Sequence, residues 1–117
     1  MKRKFNPDGW NRQEHFNMFS SMDNPYVGVV AEVECSKAFQ FAKENSISFF
    51  ALYLHCSVLA ENKIEEFKYR IEEDGIYIYD HLDCGTTIGR NDGTFGFGLM
   101  DFSDDFSAFN LQLQDQI

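Results

Sequence analysis

Basic residues are scarce in this sequence. Ten lysines and arginines stand against 19 aspartates and glutamates over 117 residues, which gives a formal net charge of −9. A protein that binds nucleic acid usually carries a basic face that neutralises phosphates, and no stretch of this chain supplies one. Nucleic acid is therefore not an expected partner. The acidic excess identifies no cationic ligand either, because a solvated acidic surface is the common explanation for such a balance.

Cysteines and long apolar runs are also few. Cys35, Cys56 and Cys84 lie far apart and form no Cys-x-x-Cys or Cys/His set, so we expect ordinary buried thiols and no metal site. No window approaches the roughly 20 apolar residues of a membrane span. No apolar run follows the basic residues at positions 2–4, as a signal peptide would require. These features predict a cytoplasmic protein without membrane contact.

The chain nevertheless has enough apolar material for a packed core. It contains 13 phenylalanines, and 44% of its residues are hydrophobic. A chain of this length buries roughly two-thirds of the surface that it exposes when unfolded. Only two prolines are present, in the turn-like contexts Pro7-Asp8-Gly9 and Asn24-Pro25. With no internal repeat and no linker, we expect a single domain over residues 1–117.

The stretch from Ile47 to Asp80 predicts a long helix followed by a β-hairpin. Its first part carries apolar residues at helical spacing, which we expect to lie against a sheet. These residues are Phe49, Leu52, Tyr53, Cys56, Leu59 and Ala60. After Asn62 the apolar residues alternate with polar ones, as they do in strands. Asp74-Gly75 divides the alternating run where a tight turn needs a residue that tolerates positive φ.

The remaining patterns predict shorter elements on both sides of this stretch. In chain order they are a polar lead over residues 1–9, a short helix or turn over 10–19, a strand over Tyr26–Val33, a helix from Ser36 to Asn45, a short strand at Thr86–Ile88, a strand over Phe95–Phe102 and a helix over Asp104–Ile117. This order predicts the α/β class, as a two-layer sandwich of helices on a mixed, mostly antiparallel sheet.

The three histidines are isolated, and each favours a structural role. His15 follows Glu14, but adjacent residues of a helix do not face each other, so a surface role is favoured over a base with an orienting carboxylate. His55 lies near the apolar stripe of the central helix, which favours a hydrogen-bonded core or boundary histidine over a ligand. His81 lies near acidic residues and a cysteine, at a spacing that matches no zinc site.

Two glycines interrupt the strand predicted over Phe95–Phe102. Gly96 and Gly98 weaken a strand and typically make room for close approach of another backbone or of a ligand. A phosphate-binding loop is the less favoured interpretation, because no P-loop lysine follows them.

Residues along the whole chain resemble the N-terminal half of chloramphenicol acetyltransferase. The positions that carry the resemblance occur in the family's order and need few or no gaps. They are Trp10-x-Arg12-x-Glu14-His15-Phe16, Phe49-Phe50, Asn62, Glu66-Phe67-x-x-Arg70, Asp74-Gly75, Asp80, Thr86, Thr94-Phe95 and Asp105-Phe106-x-x-Phe109. The resemblance implies the N-terminal half of that fold.

The resemblance also implies an activity. Members of this family transfer an acetyl group from acetyl-CoA to a hydroxyl of chloramphenicol, on a trimer with active sites between subunits. Their catalytic base is the second histidine of a His-His-x-x-x-Asp-Gly motif, and this sequence contains no such motif. The family's oxyanion-stabilising serine and most of its CoA tunnel also correspond to positions beyond residue 117. The chain is therefore expected to be a shortened member.

The resemblance implies that this chain contains one wall of the family's acceptor pocket. Met18, Phe19, Pro25 and Val27 match one lining stretch of the family's pocket, which takes a small aromatic hydroxyl compound. The family often has cysteine in place of Pro25. For the set Met18, Phe19, Tyr26, Phe95 and Phe97 a plain core role is the other interpretation, and the resemblance makes the pocket interpretation comparably favoured.

A second lining stretch and one arginine complete the correspondence. Phe95 and Phe97 match the other part of the acceptor pocket, although the family has a small residue in place of Phe97. Arg12 matches an arginine that pairs with the aspartate of the missing motif, so its family partner is absent here.

Two functions remain open at this point. In the first, the chain is a chloramphenicol acetyltransferase-like protein that lacks a general base and is catalytically deficient alone, with acetyl-CoA as cofactor by resemblance only. In the second, it is a non-enzymatic module that self-associates or binds a partner or small molecule, because an incomplete sheet leaves strand edges and apolar helix faces uncovered. A homo-oligomer is expected in either case.

Overall fold

The computed structural model describes all 117 residues, which form four α-helices, one 3₁₀ turn and five strands. The strands are β1 (Lys2–Phe5), β2 (Tyr69–Glu72), β3 (Gly75–Tyr79), β4 (Cys84–Gly89) and β5 (Phe95–Met100). The helices are α1 (Gln13–Ser20), α2 (Ser36–Glu44), α3 (Phe49–Lys63) and α4 (Phe106–Gln114), and the 3₁₀ turn spans Glu65–Lys68. The predicted α/β class is confirmed. None of the helices combines the length and the apolar character needed to cross a membrane.

All strand pairs are antiparallel, and they form two separate sheets. One sheet has the order β1-β3-β2, and the other is the β4–β5 hairpin. The predicted hairpin at Asp74-Gly75 is confirmed, with Ile71 opposite Ile76. Gly75 has φ +144°, and a Cβ there would lie 2.9 Å from Cε of Lys4, so a side chain at this turn would be strained and crowded.

Strand β1 lies where the sequence predicted only a polar lead. It pairs antiparallel with β3 over all four residues, and its basic side chains meet acidic partners. Arg3 Nη2 lies 2.8 Å from Glu65 Oε2, and Lys4 Nζ lies 3.1 Å from Asp74 Oδ2. On the opposite face from the lysines, Phe5 packs against Trp10 and Tyr69 with both ring centroids at 5.2 Å. The predicted helix near Trp10 is confirmed as α1, which follows this aromatic cluster.

The largest buried cluster lies between the β4–β5 hairpin and helices α3 and α4. Its members are Ala51, Val58, Cys84, Met100, Phe109 and Leu113. Helix α4 begins after Asp105, whose carboxylate accepts a hydrogen bond from the Ala108 amide at 2.8 Å. The predicted placement of an acidic residue at the start of this helix is therefore confirmed, and it orients α4 toward the core.

The prediction of which face of α3 packs in the core was wrong. The residues of this helix that are buried are Ala51, His55 and Val58, whereas Tyr53 and Cys56 of the predicted stripe are exposed. Helix α3 is apolar on more than one face, so spacing alone did not decide which face meets the core. The same helix shows that the prediction of three buried thiols was wrong: Cys35 and Cys56 are exposed, and only Cys84 is buried.

The strand predicted over Tyr26–Val33 was also wrong. No residue of that segment belongs to a strand or helix, although its β-branched composition is typical of strands. Its large apolar side chains are 78% to 100% exposed. The physical reason is that strand structure needs a neighbouring backbone, and no other segment of this chain pairs with it.

Asn62 joins the end of α3 to the segment that leads into β4. Its Nδ2 donates hydrogen bonds to the carbonyls of Val58 and Leu82, at 2.9 and 3.0 Å. Its Oδ1 accepts from the Leu82 amide at 2.8 Å. A single half-buried side chain thus satisfies both backbone groups of Leu82, which has no ladder partner in either sheet.

Replacing Asn62 with alanine should lower the free energy of unfolding by about 2 kcal/mol, because the Leu82 backbone groups would lose their partners in a half-buried place. Urea unfolding followed by far-UV circular dichroism measures this. Asn45→Ala is the matched control, since Asn45 also donates to the carbonyl four residues before it but reaches no distant segment. Its cost should stay under about 0.5 kcal/mol. Equal losses in the two variants would contradict the linking role.

Candidate functional site

The residues after α1 form a small apolar cavity of about 380 Å³. Its lining residues are Phe19, Met22, Asn24, Pro25, Tyr26 and Val27. Helix α1 ends where the Ser21 amide bonds the Met18 carbonyl, and Asn24-Pro25 then turns the chain into the extended segment. The cavity brings together three of the candidate pocket residues, Phe19, Pro25 and Val27. Met18, the fourth of that set, lies half exposed on α1 and does not line it.

The other two candidate pocket residues lie on β5. Phe95 and Phe97 are two apart on one strand and therefore point to the same face. Their rings meet edge to face with centroids 5.6 Å apart, and both are mostly exposed. Neither lines the cavity beside Pro25. Within this chain, the two parts of the candidate pocket are two separate aromatic surfaces.

The glycines of β5 provide room for side chains on the other face of the hairpin. A Cβ at Gly96 would lie 2.8 Å from Nη2 of Arg90, and a Cβ at Gly98 would lie 2.8 Å from Cδ1 of Ile88. The approaching groups are side chains and not another backbone, so that part of the expectation was wrong, and a ligand at these glycines stays a prediction.

Arg12 is an exposed residue with one acidic neighbour. Its Nη1 lies 3.7 Å from Glu66 Oε1, and both side chains are more than half exposed. An ion pair of this kind contributes at most about 1 kcal/mol. Its role here is to tie the start of α1 to the 3₁₀ turn before β2.

The three histidines have different surroundings, and none of them lines the cavity beside Pro25. His55 is buried, its Nε2–H donates to the Ser103 carbonyl at 3.0 Å, and its ring packs on Phe106 and Phe109. The prediction of a hydrogen-bonded core histidine is confirmed. His15 is exposed on α1, as predicted.

His81 is about half exposed and stacks on Phe102, with the ring centroids 6.0 Å apart. Its Nε2 lies 3.8 Å from Asp83 Oδ1, and Asp83 uses the same oxygen to accept the Phe102 amide at 2.8 Å. This carboxylate is therefore engaged in holding the strand end. No group of three or more histidines, cysteines and carboxylates is arranged to hold a metal ion.

The ionisable groups with displaced pKa values lie mainly on the outer face of the first sheet. Hydrogen bonds from Lys2 and Tyr79 lower the pKa of the Glu72 carboxyl. Hydrogen bonds from Tyr77 and Lys4 lower the pKa of the Asp74 carboxyl in the same way. These partners are the cross-strand neighbours that hold β1 in place, so the displaced pKa values belong to structural contacts and not to the aromatic cavity.

Two features near these surfaces were missed in the sequence. Helices α2 and α3 leave an exposed apolar groove of about 570 Å³ lined by Phe41, Phe49 and Tyr53 among others, with Cys35 and Cys56 at its walls. Arg90 lines a further cavity at the tip of the β4–β5 hairpin. The apolar stripe of α3 was the only sequence signal for the groove, and no sequence signal indicated the cavity beside Arg90.

The comparisons with known proteins all point to one family. The sequence model of the family described as CAT, chloramphenicol acetyltransferase, matches residues 4–117. Proteins named chloramphenicol acetyltransferase from Escherichia coli and Acinetobacter baumannii are 24% identical over 101 residues, which is 86% of this chain and 46% of theirs. One of the same name from Clostridium perfringens is 28% identical over 109 residues, which is 91% of this chain and 50% of that protein.

A solved structure titled chloramphenicol acetyltransferase superposes on the whole chain. The TM-score is 0.90 at 36% sequence identity, and the match covers 100% of this chain and 57% of that one. The chain thus spans about half the length of the curated relatives that it matches. Since the family model covers all but the first three residues, the chain belongs to the chloramphenicol acetyltransferase family.

Proposed function

We propose that this chain supplies the acceptor-side wall of a chloramphenicol acetyltransferase-like fold and does not by itself transfer acetyl groups at an enzymatic rate. The acceptor is a small aromatic hydroxyl compound, bound against the apolar surfaces of Phe19, Pro25 and Val27 and of Phe95 and Phe97. Met18 belongs to the same wall. This assignment rests on family membership and on the aromatic character of these surfaces.

The surroundings of the three histidines carry the second half of the proposal. Acetyl transfer to a hydroxyl needs a group that takes the hydroxyl proton, and such a base is typically worth 10²–10⁴-fold. His55 is committed to a backbone carbonyl in the core, and His15 and His81 are exposed. None of them lines the cavity beside Pro25. What this chain's residues do is bind and orient the acceptor, and they move no proton.

Acetyl-CoA is the acetyl donor that family membership implies. The cavity lined by Phe19, Pro25 and Val27 contains no lysine or arginine that could neutralise the phosphates of a CoA. The cavity beside Phe97 has one basic residue, Arg90, which is a single charge for a cofactor with several phosphates. We therefore assign no residue of this wall to the cofactor.

The purified chain, mixed with acetyl-CoA and chloramphenicol, should release CoA thiol no faster than the same mixture without protein. A thiol-reactive dye follows the release, after correction for the protein's own cysteines. A full-length family member serves as the positive control. CoA release well above the background would overturn the proposal if the release also persisted in His15→Gln and His81→Gln. If one of these variants lost the release, the replaced histidine would be an unrecognised base, and the proposal would be overturned as well.

Self-association is a second candidate function, favoured by the extended segment over Tyr26–Val33. Its backbone groups pair with no other segment of the chain, and its valines are almost fully exposed. An exposed apolar segment with unpaired backbone groups favours pairing with the backbone of a second copy. The trimer that the family resemblance implies also supports this candidate.

Sedimentation velocity at micromolar concentration should therefore show species larger than the 13.6 kDa monomer. Val30→Asp places a charge in the middle of the segment and should shift the distribution toward monomer. Leu111→Asp, at an exposed apolar residue of α4, is the control and should leave the distribution unchanged. A wild-type chain that sediments as a monomer would remove this candidate.

A further inference from the structure

Arg90 differs from the other three arginines of the chain because its guanidinium has no partner. Arg3 pairs with Glu65 and Arg12 with Glu66. Arg70 donates from Nη1 to two backbone carbonyls at 2.7 Å. Arg90 forms no ion pair and no side-chain hydrogen bond, although the chain has an excess of acidic groups. A free cation in an acidic protein is a group available to a ligand.

The turn at the hairpin tip fixes the backbone of Arg90. The backbone amide of Arg90 donates to the Thr94 carbonyl at 2.8 Å, and the Gly93 amide donates back to the Arg90 carbonyl at 3.1 Å. Gly93 closes the turn with φ +83°. The side chain then lies across Gly96, where an added Cβ would come within 2.8 Å of Nη2 and 3.3 Å of Cζ. Only glycine leaves room for this arrangement.

The guanidinium borders a cavity of about 420 Å³ at the open end of the hairpin. Ile88, Phe97 and Ile117 give it apolar surface, and Asn91 and Gln116 add neutral amide groups. Its volume falls within the range of small-molecule sites. No acidic side chain lines it.

We propose that this cavity binds a small organic anion that joins a carboxylate to a flat apolar group. The guanidinium fork matches a carboxylate through two parallel hydrogen bonds. The mostly exposed ring of Phe97 offers a surface for the apolar part. A single arginine without a lysine or a nest of backbone amides suits a carboxylate better than a phosphate. Phe97 also belongs to the proposed acceptor wall, but the test below measures benzoate binding and its dependence on Arg90, neither of which the proposed function uses.

Benzoate titrated into the ¹⁵N-labelled chain is the direct test, with the backbone amides of Arg90, Gly96 and Phe97 as reporters. The shifts should saturate for benzoate and should be absent for benzamide, which has the same shape without the charge. Arg90→Gln should weaken binding at least about tenfold, since a charge-assisted hydrogen bond contributes roughly 1.5–3 kcal/mol. Arg90→Lys should retain only part of the affinity, because the bidentate geometry is lost.

Two further variants separate position from charge. Gly96→Ala keeps the charge but displaces the guanidinium, so it should weaken benzoate binding. Arg3→Gln removes the same charge from the other sheet and should leave binding unchanged. The proposal is overturned by unsaturable shifts, by equal binding of benzamide, by unchanged affinity in Arg90→Gln, or by tighter binding of inorganic phosphate. The amide spectrum of each variant confirms that it remains folded.

Discussion

No strand of one sheet pairs with a strand of the other, so the two sheets are connected through other elements, of which helix α3 is the longest. The helix leads through the 3₁₀ turn into β2. Its buried face meets the hairpin and α4, and Asn62 at its end holds both backbone groups of Leu82. Nearby, Asp83 accepts the Phe102 amide and Gln112 bonds both backbone groups of Asp101. Side chains thus replace the ladder bonds that a continuous sheet would have provided.

These side-chain-to-backbone hydrogen bonds explain why the candidate surfaces contain few groups that could act as an acid or a base. The polar side chains near the core are used to satisfy backbone groups, and His55 is among them, with Ser103 as its partner. The aromatic residues that match the family's acceptor pocket are left at the periphery, on the segment after α1 and on the outer face of β5. The candidate acceptor surfaces therefore contain no histidine side chain.

Local signals predicted the parts of the fold that depend on few neighbours. The Asp74-Gly75 hairpin and the start of α4 at Asp105 are of this kind, because a turn or a cap is specified by its own residues. Strand β1 and the fate of Tyr26–Val33 depend on distant backbone partners, which no local pattern reveals. The exposure of Cys56 depends on which of two apolar faces of α3 the core selects.

The candidate site shows the same division. The resemblance identified Phe19 and Phe97, but it did not reveal that they lie on separate surfaces of this chain. The central claim is that aromatic walls, and no histidine, receive the acceptor. Adding chloramphenicol to the ¹⁵N- and ¹³C-labelled chain and mapping the NMR shifts tests it most directly. The account predicts the largest shifts at Phe19, Val27 and Phe97, with the histidine ring signals unmoved. Largest shifts at a histidine ring would contradict it.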